Sequence, residues 1–296
     1  MQNKFCGWYF KCQSDTQTLA VIPASHGGTH SIQLITDDGA WSFPYDAANN
    51  RFAREGLRLD LRSEEASAVG AVRFGAFTPL RYDIMGPFRF VPFLQCRHSV
   101  VSMIHRVDGA VTVNGKRYVF HNGRGYIEGD RGRSFPREYA WTQSFFDRGS
   151  LMLSVADIPL AGLRFTGVIG VVRMDGREIR LATYLGAKAL QTAQNTLVIR
   201  QGDTTFTARL LEKRRCRSGR PWAETWCVRS TKARRAAPPT VWKWTGRCCW
   251  SWRRTGHRLN LNTEGNHEST GTGEIPLSSP ARRKPGGLVS VGGGSV

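Results

Sequence analysis

The residues best able to do chemistry lie together in Gly125-Tyr126-Ile127-Glu128-Gly129-Asp130-Arg131-Gly132-Arg133-Ser134-Phe135-Pro136. On a strand, Tyr126, Glu128 and Asp130 share one face, and only Gly125, Ile127 and Gly129 show on the other. Two carboxylates beside a phenol are the makings of a general acid. If that face is turned into a barrel, each carboxylate raises its neighbour's proton affinity, and one carboxyl stays protonated near neutrality. Trp141, Gln143 and Phe145 alternate in the same way and are expected to line the same cavity. A purely structural reading also fits: Glu128 and Asp130 paired with Arg131 and Arg133 at a strand end.

Other candidates carry less. His98 and His105 flank Val100–Ile104 at an odd spacing, on opposite faces of a strand, and are expected at the surface or satisfied in the core. Cys96 and His98 could share a metal, but no Cys-x-x-Cys spacing accompanies them, and no metal is expected. The glycines form no phosphate loop, and Ser134 lacks the Gly-x-Ser-x-Gly setting of a hydrolase.

The elements that must hold these residues read as short strands between turns. Thr18–Ile22 is an apolar run stopping at Pro23, and Ser31–Thr36 alternates with Ile32 and Leu34 on one face. Leu57–Arg62 alternates without a break. Asn114-Gly115 between Val111–Val113 and Lys116–Phe120 is the strongest hairpin signal, and Asp175-Gly176 repeats the device. Only Gly186–Asn195 reads as a short helix. The class is therefore all-β, and 296 residues suit two antiparallel barrels with a junction near Met85–Pro92. The expected division is 1–92 for the first barrel, 93–214 for the second, and 215–296 for an irregular tail.

No run approaches the roughly 18 apolar residues of a membrane-spanning helix. Met1–Phe10 has no charged start followed by a long apolar run, so no secretory signal is expected. These features point to the cytoplasm, with peripheral contact at a membrane surface as the one membrane association left open.

Several separated motifs, in order, resemble the bacterial branch of the tocopherol cyclase family. They are Gly7-Trp8-Tyr9-Phe10-Lys11, Tyr82-Asp83-Ile84-Met85-Gly86-Pro87-Phe88, and Gly125–Pro136 followed by Trp141-x-Gln143. Ser154-Val155-Ala156-Asp157-Ile158-Pro159 and Leu181-Ala182-Thr183-Tyr184 fit as well, so the resemblance spans about 4 to 211. It implies two tandem lipocalin-like barrels, as also in carotenoid hydratases. It implies cyclisation of a prenylated hydroquinol, an amphipathic small molecule, to a chromanol, with no cofactor. Asp130 or Glu128 would then donate the proton. Trp8, Tyr126 and Trp141 would line the cavity, and Gln143 or Arg133 would orient the head group. The sequence departs from the family at Cys6 (usually Glu), Arg131 (usually Trp) and Phe145 (often Asn). A non-catalytic carrier of a hydrophobic ligand is the alternative, as is the inactive product of a decayed gene.

The resemblance stops near Leu211, and so does the composition. Residues 212–296 carry 17 basic and 5 acidic residues, while 1–211 carry 25 and 18. Six of nine Trp and four of seven Cys also fall in this last part. A GC-rich frame offset by one nucleotide gives this mixture. Read one nucleotide earlier, Trp242–Trp250 becomes Glu, Met/Val, Asp, Gly, x, Leu/Met/Val, Leu, Leu, which is a hairpin with an Asp-Gly turn. The bland alternative is a basic, Trp-rich tail that binds RNA or anionic lipid by stacking and charge. No nucleic-acid partner is expected, and a barrel lacking its last strands would expose an unpaired edge.

Overall fold

The computed structural model describes residues 4–92, 94–136, 138–160, 163–193, 196–215, 221–232 and 247–253. They form two curled nine-stranded antiparallel sheets. The first contains β1 (Phe5–Gln13), β2 (Thr18–His26), β3 (Thr29–Thr36), β4 (Ala40–Pro44), β5 (Arg51–Ala53), β6 (Gly56–Arg62), β7 (Ser67–Phe74), β8 (Cys96–Val113) and β9 (Lys116–Gly132). The second contains β10 (Tyr139–Phe146), β11 (Gly149–Leu160), β12 (Leu163–Met174), β13 (Arg177–Ala182), β14 (Lys188–Ala193), β15 (Thr196–Gln201), β16 (Thr204–Arg215), β17 (Pro221–Lys232) and β18 (Arg247–Arg253). The orders are β4-β3-β2-β1-β9-β8-β7-β6-β5 and β13-β12-β11-β10-β18-β17-β16-β15-β14, the same pattern twice. Each sheet is a meander whose first strand pairs with its last.

The hairpins sit where Asn-Gly and Asp-Gly demand. Asn114 and Gly115 have φ of 47° and 80°, and Asp175 and Gly176 have 49° and 73°. Both central residues are left-handed, as the twist-compatible type I′ turn requires. Alternation does the rest. Leu57, Leu59 and Leu61 point inward with Ile32, Leu34 and Phe43 to fill the first sheet's concavity. A second core, with Leu151, Leu153, Val168 and Ile199, fills the other. A third lies in the seam between the sheets. Tyr9, Met103 and Tyr126 from the first meet Phe145, Met152 and Val171 from the second.

Several expectations need correction. The junction is not at 85–92 but between β9 and β10, at 133–138, because β8 and β9 return to the first sheet. Between β7 and β8 the described residues of 75–95 form a loop, with a 3-10 turn at Gly86–Phe90. Pro23 does not end β2. The β1–β2 ladder is simply interrupted between Gly7/Ala24 and Phe10/Val21, where proline has no N–H to give. The helix expected over Gly186–Asn195 is absent from 186–193, and Gln194 and Asn195 lie outside the described residues. Gly186 takes a left-handed φ of 84° after a 3-10 turn, and Lys188–Ala193 pairs with β15 as a strand. The region expected as irregular tail supplies β17 and β18, which join β16 to β10, so the edge expected to lie bare is paired. Positions 254–296 lie outside the described residues.

The 75–95 loop ties the sheets together. Arg180 of β13 is buried, donates to Glu178 Oε1 at 2.8 Å and to the Asp83 and Tyr82 carbonyls, and stacks on the Tyr82 ring at 3.4 Å. The Glu178 carboxylate also accepts the Arg81 N–H at 3.1 Å. Phe88 packs against Phe165 and Tyr184. Removing one partner of a buried pair strands the other. Arg180→Ala should therefore cost about 3–5 kcal/mol. Denaturant unfolding should show that loss, together with easier proteolysis in the 75–95 loop.

Candidate active site

Strand register assembles the site at the seam. Tyr9 of β1 lies opposite Glu128 of β9, and His98 of β8 lies opposite Asp130. All four leave the sheet on its outer face, which the second sheet covers. The polar face of β9 is thus turned to the seam, not into the first barrel, whose interior takes Ile127. His98 sits between the carboxylates: Nδ1 is 2.8 Å from Asp130 Oδ1, and Nε2 is 3.1 Å from Glu128 Oε2. The same Glu128 oxygen accepts the Tyr126 hydroxyl at 2.5 Å and the Trp141 indole N–H at 3.2 Å. Cys96 Sγ donates to Asp130 Oδ1 at 3.5 Å. Trp141 comes from β10, so the second sheet completes the site.

Burial and charge compete here. Burial disfavours the His98 imidazolium, but Glu128 and then Asp130 outweigh it and lift its pKa to about 10. Burial raises the Glu128 pKa, against the pull of His98 and the Tyr126 hydrogen bond. Burial, then Asp130, pushes the Cys96 thiol up, and burial, then Glu128, pushes the Tyr126 phenol well up. A cationic imidazole between two carboxylates leaves the cluster one negative charge, able to take up one further proton.

The cluster lies on the wall of a cavity of about 1290 Å³ between the sheets. Apolar and aromatic groups dominate its wall, among them Trp141, Tyr9, Ile22, Ile35, Phe165 and Ile169. Tyr9 meets Trp141 edge to face at 5.3 Å.

The expected site residues divide. Glu128, Asp130, Trp141 and Arg133 line the cavity. Tyr126 is fully buried behind Glu128 and holds it instead of lining the cavity. Trp8 borders the cavity but pairs with Gly129, on the opposite face from Glu128; a side chain at 129 would begin 2.8 Å from its ring. Gln143 is fully buried away from the wall, where its Oε1 accepts Lys11 Nζ at 2.9 Å. Lys11 also lies over the Phe145 ring at 5.1 Å. Arg131 is on the far face, so His98, not Arg131, answers both carboxylates. Cys6 and Arg131, two departures from the family pattern, are register partners on that far face.

His98 is the residue that sequence reasoning missed. His105 is the core histidine: it bonds Ser102 Oγ at 3.0 Å, packs on Phe74 and Phe77, and burial lowers its pKa to about 4.

No protein-family model matches the chain, and no curated protein matches its sequence. Solved structures do share its fold. CghA is 12% identical with a TM-score of 0.53, over 87% of this chain and 90% of CghA. CghA solved with Sch210972 is 10% identical with a TM-score of 0.54, over 86% and 90%. An AttH protein of Nitrosomonas europaea is 10% identical with a TM-score of 0.44, over 85% and 92%. At these identities the CghA matches show the fold: two tandem curled antiparallel sheets.

The His98 value is raised, so its stabilising contribution is whole below the unfolded imidazole value of 6.5 and is lost as pH rises through about 10. The raised Glu128 value acts with the same sign. Thermal stability should fall across that window, and His98→Gln should flatten the fall. In the intact protein, the His98 ring should titrate near 10 by NMR.

Proposed function

We propose that the chain is a cyclase of the tocopherol-cyclase-like type, which protonates the alkene of a prenylated hydroquinol and closes a phenol oxygen onto it to give a chromanol. The observation that carries this reading is the Glu128–His98–Asp130 cluster on the wall of an aromatic-rich cavity. Glu128 is the donor. Its Oε2 already accepts from Tyr126 and Trp141 and faces His98, so the acidic proton belongs on Oε1. Transfer of that proton forms the new C–H bond and leaves a tertiary cation. The phenol oxygen then supplies the electron pair of the C–O bond. Its proton returns to Glu128 Oε1, which resets the acid, while the His98–Asp130 ion pair keeps its charges beside it. The step is redox-neutral and needs no cofactor or metal.

The rings of Tyr9 and Trp141 offer π-faces to the passing cation. The apolar wall keeps out water, which would trap the cation as an alcohol. Arg133 is positioned on the wall to orient the head group. The crystallisation of CghA with Sch210972 supports a fold able to hold a small molecule. Cys6, where the family usually has Glu, favours the second reading, a carrier that binds without turnover.

Glu128→Gln should lower chromanol formation from a prenyl hydroquinol by about 10²–10⁴-fold, the range for losing a general acid. Quenching of tryptophan fluorescence by the ligand should persist. Wild-type turnover in both Glu128→Gln and Asp130→Asn would sink the acid assignment, and tight binding with no product in the wild type would leave the carrier.

We also read the Trp- and Cys-rich stretch from Trp222 to Trp250 as the product of a one-nucleotide offset. Sequencing the coding DNA between the codons for Thr205 and Gly265 should reveal one inserted or deleted base. An intact frame removes the idea.

A further inference from the structure

The outer face of β6–β9 lies on the far side of the first sheet's core and carries its own pattern. Inward positions on these strands are Leu57, Leu59, Val72, Val111, Tyr118 and Phe120. The positions between them therefore face out, and register arranges them in rows. One row runs Arg58, Ala71, Ala110, Val119 across β6, β7, β8 and β9. The next runs Asp60, Val69, Thr112, Arg117. On the other side Arg73 lies opposite Asp108, and Arg51 of β5 lies opposite Arg58. The centre is thus small and apolar, with Val69 at 40% and Val119 at 45% exposure, and arginines ring it.

The two aspartates on this face are already answered. Asp60 accepts Arg62 Nε at 2.9 Å, and Asp108 accepts Arg106 through both oxygens. Arg51, Arg58, Arg73 and Arg117 have no acidic partner among the described residues and keep their charge for something outside the chain. Arg73, Arg106, Arg117 and His121 also line a shallow depression of about 500 Å³.

We propose that this face docks on the surface of an anionic phospholipid bilayer. Arginines ringing a small apolar centre match that surface: guanidinium forks take phosphate oxygens in pairs, and the valines reach the interfacial region. A β-sheet face with valine at its centre offers no aromatic platform for stacking bases, so a nucleic acid is the less fitting anion. The proposal does not depend on the cyclase reading.

The test is co-sedimentation of the full chain with phosphatidylcholine vesicles, with and without phosphatidylserine, at low and high salt. Binding should require phosphatidylserine and weaken with salt. Arg58→Gln/Arg117→Gln should lower the affinity by about 25-fold, taking about fivefold per neutralised charge. Arg177→Gln on β13, exposed elsewhere, should leave it unchanged. Both variants alter exposed side chains, and matching thermal melts establish that they fold. Vesicle binding unchanged in the double variant would overturn the proposal and pass the charge to another surface. Loss of affinity for a single-stranded oligonucleotide without loss of vesicle binding would overturn it in favour of nucleic acid.

Discussion

The seam holds charge that water would otherwise solvate, and the site depends on that being tolerable. A buried carboxylate, a half-buried one and a buried imidazole lie within a few ångströms of one another, an arrangement that is costly unless each group is answered. His98 answers both carboxylates at once, and Tyr126 and Trp141 answer Glu128 again. Two of these partners come from neighbouring positions of the first sheet, but Trp141 comes from the second. Packing of the two sheets and completion of the hydrogen-bond set are therefore one event. The Arg180–Glu178 pair of the second sheet and the Tyr82–Phe88 loop of the first hold the same packing in place.

The two sheets have the same strand order, so β1 corresponds to β10 and β2 to β11. The seam uses this correspondence. Tyr9 on β1 and Trp141 on β10 are ring neighbours across it, contributed by equivalent strands. The chemistry is not duplicated in the same way, because among the described residues the carboxylates lining the cavity, Glu128 and Asp130, both come from β9. One repeat supplies the charged groups, and the other supplies a lid of tryptophan and aliphatic side chains.

Much of this was legible in the sequence. Period-two spacing put Tyr126, Glu128 and Asp130 on one face, and the structure has them there. Asn114-Gly115 and Asp175-Gly176 marked real hairpins because their backbone angles are open to few other residues. The missing piece was His98. Counting back from the Asn114-Gly115 turn in straight register sets Ser99, not His98, opposite Asp130. The ladder between β8 and β9 slips at Val100/Ser102, Ser102/His105 and Val107/Gly109, and the net slip brings His98 into place. Such bulges reverse which face a residue occupies, and nothing local in the sequence announces them. The direction of the polar face was equally hidden, because alternation says that two faces differ but not which one meets the second sheet. The strands at Pro221–Lys232 and Arg247–Arg253 were obscured by their composition. Pairing to β16 and β10 asks for backbone geometry more than for apolar alternation.

Closure of each sheet by its first and last strands gives the molecule a calendar. During synthesis the first sheet can shut once Gly132 has left the ribosome, since β9 is the last strand it needs. Trp141 follows within a few residues, and the acid cluster gains its remaining hydrogen bond soon after. The second sheet must wait for residues 247–253 before β10 acquires its other neighbour. For more than a hundred residues of elongation, a finished half presents its charged seam to an unfinished one, and the cavity has only one settled wall.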